Sequence, residues 1–238
     1  MGAAHPEPPV VVALPGFDGS GALFRPLQQA LGDALEFRAV AYGDYASLED
    51  YIEQAEAAVP VERPVILLGE SFSGPIALSL LARARRDYIG GVLAGTFAEP
   101  PLSLLVSLAD KLRLASFVLP SVSEQILRVF CLNGVSDIAR IREVVAVVRQ
   151  VSQRAIASRL AALSRMNATP ELAEIDVPVL LLRAANDRVV RSRYMEPLRQ
   201  TLTDLEEVVL RGPHLLLQSA PGEAAKAIQA FTKRVHTA

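Results

Sequence analysis

Leu67-Leu68-Gly69-Glu70-Ser71-Phe72-Ser73-Gly74 carries an apolar strand straight into Gly-x-Ser and then into a helical pattern. Such a stretch describes a nucleophile held on a sharp strand-to-helix turn. A serine hydroxyl is a poor nucleophile unless it is exposed, oriented and deprotonated by a neighbour, and the turn supplies the first two. Small residues make the turn possible: Gly69 two before Ser71 and Ser73 two after stand where bulk would collide with the neighbouring strand and helix. The flanks fit. Pro64-Val65-Ile66-Leu67-Leu68 suits a buried parallel strand, and Pro75-Ile76-Ala77-Leu78-Ser79-Leu80-Leu81 reads as a buried helix with proline in its first turn.

A base for Ser71 should be a histidine, and the chain has three. His5 lies in a Pro-rich N-terminal tail and His236 among the last residues, where disorder is the ordinary expectation. His214 remains. It follows the strand-like Val208-Val209-Leu210, in the turn Gly212-Pro213-His214, before a C-terminal amphipathic helix carrying Ile228 and Phe231. An acid to orient the imidazole should lie between Ser71 and His214 at a strand end. Asp187 qualifies, after Val179-Leu180-Leu181-Leu182, although a loop aspartate is commonly only a turn former. Glu99 competes, just past Gly91-Val92-Leu93-Ala94-Gly95-Thr96-Phe97.

Acyl transfer also needs donors for the developing oxyanion. The backbone N–H of Phe72 is one candidate. The other is the N–H of Phe17, in the turn Pro15-Gly16-Phe17-Asp18-Gly19-Ser20-Gly21 after the strand Val10-Val11-Val12-Ala13-Leu14. A glycine-rich loop after a first strand can instead cradle a phosphate, but neither Gly-x-Gly-x-x-Gly nor a Walker lysine is present.

These stretches together resemble the α/β-hydrolase superfamily of serine esterases, lipases and thioesterases. The likeness covers most of the chain and rests on Leu14-Pro15-Gly16-Phe17, Gly69-Glu70-Ser71-Phe72-Ser73-Gly74, Asn186-Asp187-Arg188 and Gly212-Pro213-His214. The superfamily's chain order of nucleophile, acid and histidine favours Asp187 over Glu99 as the third member beside Ser71 and His214. The chain departs from the pattern at Pro15, where many members have His, and at Ser73, where strict Gly-x-Ser-x-Gly has glycine. It also starts at what would be the family's third strand, which implies a small sheet.

The implied fold is α/β: a mostly parallel, doubly wound sheet of about six strands with a helical cap insertion. Apolar runs near 9–14, 37–42, 64–69, 91–96, 178–184 and 206–210 alternate with helical patterns such as Leu23, Leu27, Leu31 and Leu48, Tyr51, Ile52, Ala55. Residues 1–99 and 171–238 are expected to form the core and 100–170 the cap, since an ordinary crossover needs one helix where this interval holds several. Leu104, Leu105, Leu108, Leu112, Ile138, Ile141, Val145 and Val148 stand at helical spacing there, to hold the cap together, seat it on the core and in part line an acyl pocket.

With 238 residues, 51% of them hydrophobic, the chain can bury a sizeable single core. Its charge of -2, without a basic domain or an aromatic platform, argues against nucleic-acid binding. The cap interval carries nine basic and four acidic residues, a balance of +5, against -7 for the remainder. The plain reading is a solvated arginine face; the sharper one is steering of an acyl group delivered by an acidic carrier protein or by coenzyme A. The single cysteine, Cys131, excludes an internal disulfide and reads as a small hydrophobe. Met1 to Pro9 lacks a basic leader, no apolar stretch reaches a membrane span, and a cytoplasmic location is the default expectation.

The resemblance points to small capped carboxylesterases, including the type that cleaves pimeloyl-carrier-protein methyl ester, acting on an ester or thioester without metal or cofactor. An acyltransferase, lyase or cofactor-free haloperoxidase on the same three residues is the alternative within enzymes. A catalytically silent binding protein is the alternative outside them.

Overall fold

A computed structural model describes residues 7–43, 47–100, 125, 127–135 and 137–237. Six strands form one sheet: β1 Val10–Leu14, β2 Glu36–Ala39, β3 Val65–Glu70, β4 Tyr88–Ala94, β5 Val179–Ala184 and β6 Leu205–Leu210, in the order β2-β1-β3-β4-β5-β6. Every pairing is parallel. All residues of β1, β3 and β4 are buried, as continuous apolar runs require, whereas the edge strands β2 and β6 are largely exposed.

The period of two sorts strand residues between two cores. Val10, Val12, Leu14, Val65, Leu67 and Leu181 face one side, covered by α2 (Leu48–Ala57), α3 (Gly74–Arg83) and α6 (Glu196–Thr201). Val11, Ala13, Ile66, Leu68, Leu180 and Leu182 face the other, covered by α1 (Arg25–Leu31), α7 (Leu216–Ser219) and α8 (Pro221–His236). The expected helical stripes are the buried ones: Leu27 and Leu31 on α1, Tyr51, Ile52 and Ala55 on α2. Helix α2 starts at a reciprocal cap, in which Ser47 Oγ accepts from the Asp50 N–H and the Asp50 carboxylate accepts from the Ser47 N–H.

Two strands differ from the expectation. β2 ends at Ala39 rather than 42, because Val40 and Tyr42 turn into the core, their N–H groups bonding the carbonyls of Ala13 and Gly19. β4 begins at Tyr88 and stops at Ala94, where Gly95 takes a left-handed φ of 55°. Gly90 and Gly91 lie inside the strand, which the sequence reading starts at Gly91, and nothing larger fits at either. A Cβ there would stand 2.9 Å from the Phe231 ring and 2.6 Å from Leu81 Cδ1.

Between β4 and β5 the described residues include α4 (Ile138–Val148) and α5 (Gln153–Leu163). The Ala168 N–H donates to the Ala98 carbonyl at 3.0 Å, so the chain leaves the sheet and returns to it at one point. Ile141, Val144 and Val145 form a third cluster with Leu132 and Leu23. Ile138 and Val148, expected on the packed stripe, are exposed (58% and 36%), because α4 turns the Ile141, Val144, Val145 face inward instead. Leu104, Leu105, Leu108 and Leu112, with the charged Asp110, Lys111, Arg113 and Glu124, lie outside the described residues, as does His5.

Candidate active site

The strand order reverses between β1 and β3, and in sheets of this kind the crevice at such a point, beyond the carboxyl ends of the strands, is where ligands bind. Leu14 pairs with Gly69 in register, so the turn after β1 and the turn after β3 emerge side by side.

The second turn carries Ser71 at φ 49°, the left-handed region that an L residue with a Cβ enters only under constraint. Crowding is that constraint. A Cβ on Gly69 would meet Ser73 O and Ala77 Cβ at 2.8 Å, and one on Gly74 would strike the Thr96 side chain. Thr96 also donates its hydroxyl to the Ser71 carbonyl at 2.5 Å.

Ser71 Oγ stands 2.9 Å from His214 Nε2, and His214 Nδ1 stands 2.9 Å from Asp187 Oδ2. The other oxygen of Asp187 accepts the N–H groups of Val189 (2.8 Å) and Val190 (2.7 Å), which aims the carboxylate at the ring. A hydrogen on Nδ1 given to Asp187 leaves the Nε2 lone pair facing Ser71. Burial alone would lower the imidazole, but the Asp187 charge and hydrogen bond outweigh it and raise it above the usual histidine value. Asp187 therefore occupies the place for which Glu99 also competed; Glu99 is exposed. His236, expected at a disordered end, closes α8.

Phe72 lies in the helical turn Ser71–Ser73 leading into α3, where the first N–H groups have no carbonyl a turn earlier to bond. Across from it, Gly19 N–H donates to Gly16 O at 3.0 Å, closing the turn that holds Phe17. The Phe17 and Phe72 rings meet edge to face at 5.9 Å.

The sequence reading missed what the Glu70, Gln218, Ser73, Tyr42 and Arg159 side chains do at this site. Glu70 is 3% exposed beneath the Phe17 turn, with Gln218 Nε2 donating to Oε1 at 3.0 Å and Gly16 packed on its carboxylate. Burial pushes its carboxyl up to about 7. A charged residue between a buried strand and the serine was the signal. Ser73, in the place of a glycine, gives its hydroxyl to the Pro15 carbonyl and accepts from Tyr42 Oη at 3.0 Å. Burial pushes the Tyr42 phenol up. Arg159 reaches from α5 to the Phe17 turn; its signal was a position on the buried stripe Ala155, Ala162, Leu163. Among the described residues no group of three or more His, Cys, Asp or Glu could hold a metal ion, and no helix is long and apolar enough to cross a membrane.

Residues 40–234 match the family model described as serine aminopeptidase, S33. A 116-residue stretch is 31% identical to the chloroplastic phytyl ester synthase 1 of Arabidopsis thaliana; it covers 44% of this chain and only 16% of that protein's length. Similar solved structures include a thermophilic esterase of Thermogutta terrifontis, at 18% identity and TM-score 0.78, covering 97% of this chain and 91% of that one. An esterase of Exiguobacterium antarcticum gives 15%, 0.79, 95% and 92%. A bromoperoxidase of Bacillus anthracis gives 16%, 0.76, 94% and 91%. At such identities the likeness is one of fold.

Proposed function

The chain belongs to the serine aminopeptidase S33 family within the α/β-hydrolase superfamily, and from that membership we propose that it cleaves a carboxylic ester or thioester through Ser71, His214 and Asp187. The observation that carries this reading is the unbroken pair of 2.9 Å hydrogen bonds from Ser71 to His214 to Asp187. Ser71 attacks the carbonyl as its proton passes to His214 Nε2, and Asp187 stabilises the imidazolium that forms. The N–H groups of Phe72 and Phe17 receive the oxyanion, each contributing about 3 kcal/mol to transition-state stabilisation. His214 returns the proton to the leaving alcohol or thiol, then activates water against the acyl-enzyme. No cofactor enters this scheme.

Residues 100–170 act in this reading as a cap whose apolar side receives the acyl chain. Arg142, Arg149, Arg154 and Arg165 are exposed on it, which supports delivery of the acyl group by an acidic carrier protein or coenzyme A, within the cytoplasm. Charge reversal at Arg140, Arg142 and Arg149 should lower kcat/KM on a carrier-bound ester and spare small soluble esters; equal rates on both abandon the carrier. A second reading, transfer of the acyl group to an alcohol in place of water, draws on the stretch similar to phytyl ester synthase.

The test is fluorophosphonate labelling of wild type and Ser71→Ala, located by peptide mass, beside turnover of p-nitrophenyl esters of several chain lengths, aminoacyl p-nitroanilides and a haloperoxidation assay. Labelling confined to Ser71 with ester turnover is expected. Turnover of the anilides alone would make the chain a peptidase, haloperoxidation alone a haloperoxidase, and a folded wild type that neither labels nor turns over would be a binding protein.

A further inference from the structure

Among the described residues, Arg159 is a buried cation without an anion. It is 3% exposed, no carboxylate pairs with it among the described residues, and its Nε–H has no partner there. Burying an unpaired charge is costly, so a residue kept in this state should be bonding something that matters. Its Nη1 donates to two successive carbonyls of the Phe17 turn, Phe17 O at 3.1 Å and Asp18 O at 2.7 Å. The guanidinium lies so close over Gly19 that a Cβ there would collide with it.

The bonds around this turn form a chain with one direction. In a trans peptide the C=O and N–H point oppositely. The unit joining Asp18 to Gly19 therefore takes the guanidinium on its oxygen and presents its N–H to Gly16 O, at 3.0 Å. The unit joining Gly16 to Phe17 takes that bond on its oxygen and presents the Phe17 N–H on the opposite side. A hydrogen-bonded series that starts at a positive charge polarises each successive donor in the same sense.

We propose that Arg159 is a positioning residue that aims and polarises the Phe17 N–H through two peptide units, so that a helix outside the sheet sets the strength of the oxyanion site. This rests on the serine hydrolase reading above. Phe17 N–H is the group that touches the reacting oxygen; Arg159 acts through it. Ser73, bonded to Pro15 O, and Glu70, beneath Gly16, fix the start of the same turn from the sheet side.

The experiment compares wild type, Arg159→Met and Arg159→Lys, the last retaining a charged donor. On a p-nitrophenyl ester Arg159→Met should lose roughly 10- to 100-fold in kcat, less than deleting an oxyanion donor outright, with KM changed less than about twofold. Affinity for a trifluoromethyl ketone, which forms an oxyanion on Ser71, should fall by the same factor. Arg159→Lys should recover most of both, and amide exchange over residues 15–21 should quicken in Arg159→Met alone. Unchanged exchange, or a kcat loss without the matching loss of ketone affinity, overturns the proposal. So does a lysine variant no better than methionine. A wild type that labels at Ser71 but whose Arg159→Met variant keeps its kcat overturns this proposal alone; a wild type that neither labels nor turns over removes the parent reading together with it.

Discussion

The turn after β3 and the turn after β1 stand side by side, yet different forces hold them. Around Ser71 the backbone is fixed by crowding: Gly69 and Gly74 exist because Ser73, Ala77 and Thr96 leave no room for a Cβ. Around Phe17 it is fixed by polar bonds from Ser73 and Arg159 and by the bond between Gly16 and Gly19. Crowding is short-ranged and answers an added methyl with a large cost, whereas hydrogen bonds can be lost singly at about 1 kcal/mol each. The place of the nucleophile is therefore rigidly given, and the place of the oxyanion donor adjustable.

The sharpest way to break this contrast is Gly74→Ala. Its methyl group meets the Thr96 side chain that also bonds the Ser71 carbonyl, so stability should fall by about 3 kcal/mol and fluorophosphonate labelling should collapse. A urea melt showing less than about 1 kcal/mol of loss would refute the role given to crowding.

Glu70 joins the two turns, and its substitution by Gln should be read against pH. The folded protein holds the Glu70 proton up to about 7, the unfolded chain only to 4.5. Stability from this group is complete below pH 4.5 and is lost as pH rises to 7, a swing of about 3 kcal/mol. Glu70→Gln should remove that swing from denaturation measured at acid and at mildly alkaline pH. Gln218 and Gly16 bond the carboxyl, Asp18 raises it, and His214 lies close enough to lower it. Because the Glu70 charge in turn raises His214, the variant should move the acid limb of kcat/KM to lower pH.

Ser73→Ala removes one donor from the Pro15 carbonyl and one acceptor from Tyr42. It should cost about 1–2 kcal/mol of stability and lower kcat without moving KM. The smallest effect is expected at Arg25→Ala. That side chain is 66% exposed where it meets Glu143 of α4, so its loss should change stability by less than about 1 kcal/mol; a larger change would mean that α4 is seated by charge and not by Leu23, Ile141 and Val145.

Much of this was legible in the chain. β-branched runs such as Val10-Val11-Val12 can only be buried strands, and their alternation with Leu27, Leu31 and Tyr51, Ile52 leaves a parallel sheet as the way to bury both patterns. Ser71, Asp187 and His214 were readable because each follows a strand, so that a parallel sheet carries all three to one edge. Arg159 was not, because its role depends on which carbonyls lie opposite α5, and charge on a helix reads as a solvated face. Ile138 and Val148 misled for the same reason: spacing gives the period of a helix, but contact with Leu23 decides which stripe turns inward. The start of β4 at Tyr88 was not legible because the room that Gly90 needs is set by Phe231, distant in sequence.

Helix α3 is bracketed by two left-handed residues that are not glycine, Ser71 at φ 49° before it and Ala84 at φ 46° after it. Each conformation disfavours the native state by about 1 kcal/mol or more, and glycine at either place would relieve it. At Ala84 that change touches no group of the site and is open to any engineer seeking a tougher protein. At Ser71 the same relief removes the hydroxyl. Durability and chemistry thus pull in opposite directions at a single carbon atom, and a selection for heat resistance alone would be drawn to erase the residue that attacks the substrate.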